Sequence, residues 1–127
     1  MMKNHLLLVA LLVLIIVPGI AATRYLASSS QALIPLTDRA IACVEDGDWA
    51  AAERFAGDLR EGWDERKDAW ALLMMHEEIH ELEQSIARIE QLIATKDRPG
   101  ALAELQVVRL LLGHVGEKQR LSLINIL

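Results

Sequence analysis

The sequence predicts an all-α protein: a single N-terminal transmembrane helix followed by an antiparallel four-helix bundle or two stacked helical hairpins. Three observations carry this. Leu6 to Thr23 is an eighteen-residue run without a charge, bracketed by Lys3 and Arg24. Downstream, apolar residues recur at spacings of three and four, the period of a helix with one buried stripe. No segment alternates as a half-buried strand does, and the hairpin dipeptide Asn-Gly is absent.

At about 1.5 Å per residue the uncharged run makes a helix of roughly 27 Å, close to the ~30 Å of hydrocarbon that a single span crosses. The same residues fit a cleavable signal: Lys3 as the positive region, Leu6 to Val17 as the apolar region, a break at Pro18-Gly19, and small residues up to Ala22. The run continues past the break into a segment that already looks helical, so residues 1–24 are read as an uncleaved anchor, with the signal peptide as the alternative. No Cys follows the run directly, so it is no lipoprotein signal. Both readings place residues 25–127 outside the cytoplasm as one helical domain, at a cell membrane crossed once.

In the first soluble helix, Tyr25 to Val44, the residues Leu33, Leu36, Ala40 and Val44 form the stripe, and Pro35 is expected to kink the helix or mark its start. Gly47 suits a left-handed C-cap and Asp48 the next N-cap. The second helix runs from Trp49 to about Ala71 with Trp49, Ala52, Ala56, Leu59, Trp63 and Trp70 on one face. Three tryptophans on a stripe are core anchors in the simplest reading; Trp49, Trp63 and Trp70 are also the candidate interaction residues, since Trp is enriched at interfaces. The third helix has the cleanest period, through Ile79, Leu82, Ile86, Ile89 and Ile93, the seam of a packed bundle. Asp97 caps the fourth, which tolerates Pro99 in its first turn and buries Leu102, Leu105, Val108, Leu112 and Val115, with Gly113 and Gly116 loosening its end. Glu117 to Leu127 fits either a helix or an extended strip. The two hairpins begin 49 residues apart, each with Ala soon after its Asp cap, a faint internal echo.

Composition narrows function. Removing Lys3 leaves twelve Lys plus Arg against eighteen Asp plus Glu, a net charge of −6 on the soluble part. A phosphate backbone wants a basic face, so nucleic acid is not the expected partner. The single Cys43 makes no intramolecular disulfide, and the domain must be held by packing.

One motif could carry chemistry. His76, Glu77, Glu78, Ile79 and His80 match H-E-x-x-H, which sets two imidazoles on one helical face for zinc with Glu77 as general base. A third ligand would have to come from the next helix, where Glu104 and His114 are the candidates. Glu78 puts a charge at an inner position that such sites leave uncharged, and no strand is predicted to hold a peptide substrate. His76 is read instead as a hydrogen-bonded packing residue beside Ile79. No phosphate loop and no Ser-His-Asp set can be assembled, so no catalytic residue is assigned.

The apolar run, the turn from Glu45 to Trp49, Trp63 and Trp70 before Leu72, the stretch His76 to Ile79 with Ser85 to Ile89, and the closing Asn125-Ile126-Leu127 together resemble a family of short bacterial proteins, chiefly from Firmicutes, grouped as domain of unknown function 4363. The resemblance implies a membrane-anchored helical domain without an assigned activity, an acidic residue where His80 stands, and a partner within the membrane. The function expected is therefore a non-enzymatic interaction module without a cofactor, binding a membrane or envelope protein or a second copy of itself. The alternative is a small zinc-binding protein or hydrolase built on His76, His80 and Glu104.

Overall fold

A computed structural model describes the backbone from Met2 to Ile126 and the side chains as far as Val115. It contains four helices: α1 (Met2–Asp46), α2 (Trp49–Leu73), α3 (His76–Ala94) and α4 (Arg98–Ile126), with no strand among the described residues. The expected anchor and first soluble helix are one element. α1 is 45 residues long and runs through both Pro18 and Pro35, so Pro35 neither starts nor ends it. Proline in a helix interior removes one backbone hydrogen bond and costs about 3 kcal/mol. At Pro35 the buried neighbours Leu33 and Thr37 hold the segment helical against that cost.

α1 and α3 are each flanked by α2 and α4 and face one another across the bundle. Neighbours run antiparallel. Trp70 of α2 reaches Ser29 of α1, while Gly62 lies against Leu33. Arg60 of α2 meets both Glu83 and Glu90 of α3. Ser30 of α1 donates to the Leu112 carbonyl of α4, and Arg109 pairs with Asp38 further along at 2.6 Å. The stripes read from the sequence form one core, in which Leu33, Ala40, Val44, Leu59, Ile86, Ile89, Leu105 and Val108 are all at most 1% exposed.

The two turns at the far end are built alike. Gly47 has φ 74°; its N–H bonds the Val44 carbonyl and the Asp48 N–H bonds that of Cys43. Lys96 has φ 56°, with its N–H on the Ile93 carbonyl and the Asp97 N–H on that of Leu92. This is a left-handed C-cap of Schellman type used twice. Each time the next residue is the N-cap: Asp48 accepts from the Ala51 N–H at 3.2 Å and Asp97 from the Gly100 N–H at 3.0 Å.

The 49-residue echo extends well beyond the turns. Leu33, Thr37, Ala40 and Val44 of α1 correspond to Leu82, Ile86, Ile89 and Ile93 of α3. Ala52, Ala56, Leu59 and Trp63 of α2 correspond to Ala101, Leu105, Val108 and Leu112 of α4. All sixteen are buried. The bundle is thus two similar hairpins, each contributing the same buried register. The fourth helix also differs from expectation: it does not loosen at Gly113, and its backbone stays helical to Ile126. The side chains from Glu117 to Leu127 lie outside the described residues.

Candidate functional site

The largest feature that the core does not account for is the first half of α1. Leu6, Leu7, Leu14 and Ile15 are 65–71% exposed, and none of the apolar window is buried within the protein. A monomeric soluble protein rarely exposes a contiguous apolar patch of more than a few hundred Å², and larger ones mark contact surfaces. Burial in α1 begins only at Leu26. The helix therefore changes environment along its length: apolar and exposed as far as Gly19, partly covered at Ile20, Ala22 and Thr23, amphipathic and packed from Leu26. By length and composition this one helix is able to cross a membrane.

At the same end of the bundle, the join between α2 and α3 is apolar and uncovered. Leu72 is 87%, Met75 66% and Leu73 41% exposed, while Met74 packs against the core. Helix α2 stops because Met74 turns extended, its N–H still bonding the Trp70 carbonyl, and Met75 is extended as well. An open groove between α1 and α2 nearby is lined by Tyr25, Ser28, Ser29, Ala32, Glu65 and Arg66.

The tryptophans sit largely inside. Trp63 and Trp70 are 0% exposed and meet edge to face, with ring centroids 5.4 Å apart; Trp49 is half-buried against the core. Side chains buried this completely present no surface to a partner, so of the three only Trp49 retains any. Each buried indole finds an acceptor, as buried N–H groups must. Trp70 Nε1 donates to Ser29 Oγ at 2.7 Å, which in turn donates to the Leu26 carbonyl. Trp63 Nε1 donates to Glu83 Oε2 at 2.5 Å, and Arg60 bonds both Glu83 and Glu90. The Trp63 hydrogen bond, then the Arg60 guanidinium, hold the Glu83 carboxyl below the usual range against the opposing effect of burial. For Arg60 burial works downward, but the hydrogen bonds and charges of Glu90 and Glu83 outweigh it and raise its pKa.

The expected metal set is not assembled. His76 and His80 are exposed, so His76 is not the packing residue that its place beside Ile79 suggested. His80 Nε2 lies 3.0 Å from Gln84 Nε2. Glu104 is engaged elsewhere: its Oε1 accepts from Arg88 Nε at 2.9 Å, and Oε2 is buried without a hydrogen-bond partner among the described residues. Arg88 stands eight residues beyond His80, about 12 Å along α3, so Glu104 does not reach the histidines. The described residues hold no group of three or more His, Cys, Asp or Glu placed to share a metal ion. The physical reason is register: α3 and α4 are antiparallel, and Glu104 is near the far turn while His76 opens α3 at the other end.

Two features escaped the sequence reading. The Arg60, Glu83 and Glu90 cluster joins residues 23 to 30 apart and leaves no local signal. The apolar turn did leave one: Leu72 falls off the Trp63 and Trp70 stripe, and four successive apolar residues from Leu72 to Met75 exceed what one buried face can use.

A family model described as domain of unknown function (DUF4363) matches residues 20–126, and the chain belongs to that family. The match begins inside the apolar run and covers the whole bundle. No curated protein and no solved structure matches.

Proposed function

We propose that this member of the DUF4363 family is a single-span membrane protein whose helical bundle acts as a non-enzymatic interaction module outside the cytoplasm, needing no cofactor, with another membrane or envelope protein, or a second copy of itself, as partner. The observation that carries the reading is the change of environment along α1: none of the apolar window is buried, and the same helix continues without a break into the core. An uninterrupted helix ties the bundle to whatever surrounds the apolar half. The acidic balance supports a protein partner over nucleic acid, because −6 on the soluble part repels phosphate. The side of the membrane rests on Lys3 and Arg24, the charges that flank the run.

Crosslinking in intact membranes with several chemistries, followed by mass spectrometry, tests the interaction. A reproducible heterologous or homologous adduct through bundle residues is expected. Recovery of the uncrosslinked monomer under every chemistry would contradict it.

A further inference from the structure

The end of α2 and the turn into α3 send one side chain, Met74, to the core and leave three apolar side chains, Leu72, Leu73 and Met75, exposed. Two independent observations fix the height of this turn along the bundle. The Trp70 indole bonds Ser29 of α1, and α2 runs on toward the N-terminal half of α1, so residues 72–75 lie about one turn further, level with Arg24 to Leu26. The internal repeat gives the same answer. Its 49-residue offset maps Leu72 to Met75 onto Thr23 to Leu26, the place where the uncharged run ends and burial begins. The far turns, which share that offset, lie side by side: a Cβ on Gly47 would stand 2.8 Å from Arg98 Nη2.

We propose that this turn is a second membrane contact, with Leu72, Leu73 and Met75 seated in the interfacial zone of the bilayer that α1 crosses. The inference rests on the anchored reading of α1 and deepens it. A rigid unit held by one helix alone is free to tilt as a whole and to rotate about the axis of that helix. An apolar turn across the bundle, at the same height, gives a second point of attachment and fixes the face presented to a partner. The occupant follows from continuity. The exposed apolar surface of α1 and that of the turn lie at one end of the molecule, and the far turns are instead polar, with Asp48 and Lys96. Burial of apolar side chains at the boundary of headgroups and acyl chains drives such contacts.

The test uses the full chain in phosphatidylcholine vesicles, with Cys43→Ala removing the native thiol. A single environment-sensitive fluorophore is placed through Leu72→Cys, Met75→Cys, Val13→Cys or Lys96→Cys, all at exposed or uncovered positions. Quenching by nitroxide-labelled lipid and by aqueous iodide is compared. The expected result is a blue-shifted emission, lipid quenching and iodide protection at positions 72 and 75 as at 13, with the reverse at 96. Iodide quenching at 72 and 75 with lipid quenching at 13 would overturn this proposal and leave the anchor standing. Protection from iodide without lipid quenching would show a protein surface covering the turn and would equally overturn it. Loss of lipid quenching at 13 would remove the anchor and this proposal with it.

Discussion

A buried indole N–H with no acceptor costs about 1–3 kcal/mol, and Ser29 supplies the acceptor for Trp70. Ser29→Ala is therefore expected to destabilise the bundle by that amount in chemical denaturation, while an exposed control such as Ser28→Ala changes little. At the far turns, Gly47 and Lys96 occupy equivalent left-handed positions, and only glycine does so without a Cβ penalty. Lys96→Gly should stabilise by about 0.5–1 kcal/mol. Gly47→Ala should destabilise by about 1–2 kcal/mol, because an L side chain is strained at φ 74°, while the exposed Arg98 guanidinium that the new Cβ meets can move aside. Paired thermal melts of the two variants check the equivalence. Glu83 gives the chain a pH dependence. Its carboxyl titrates below its unfolded value, so its contribution is present above the ordinary carboxylate range and disappears as pH falls through the lowered value. Its side chain is 39% exposed, and solvent screening keeps the effect below about 1 kcal/mol. Glu83→Gln should be less stable than the native chain at neutral pH and lose less stability on acidification. Equal acid slopes for the two proteins would contradict this assignment.

At the scale of the element, α1 tests how far packing overrides proline. Pro35 is exposed, so replacing it loses no core contact while restoring an N–H for the helix. Pro35→Ala is expected to raise the stability of the bundle by up to about 3 kcal/mol; a loss of stability on denaturant titration would mean that the ring has a packing role. The sequence made the stripes of α2, α3 and the first half of α4 legible because every third or fourth residue is buried and no β-pattern competes. The Gly47 and Asp48 turn was legible because left-handed φ and an N-cap select those residue types. The continuity of α1 through Pro35 was not, since proline is a local signal for a break and the forces that keep the helix whole come from α2 and α4. Lys96 hid the second turn's likeness to the first, because a lysine gives no sign of positive φ. His76 and His80 matched a motif, but helix spacing places only two groups on a face, and antiparallel register decided that Glu104 lies at the other end.

At the scale of the molecule, four helices form two hairpins of common register, and α1 is extended by an apolar run of which none is buried among the described residues. No flexible linker separates the apolar run from the bundle, so in the anchored reading the orientation of the run in a membrane is transmitted to the bundle through a single rigid element. Cleavage after Ala22 would leave the first core residue, Leu26, and every other core residue in place, so stability measurements are not expected to separate anchor from signal. The direct measurement is the mass and N-terminal sequence of the chain recovered from carbonate-washed membranes and from the soluble fraction of the same cells. The anchored reading predicts a chain that retains residues 1–24 in the membrane fraction. A soluble product beginning near Ala22 or Thr23 would contradict it.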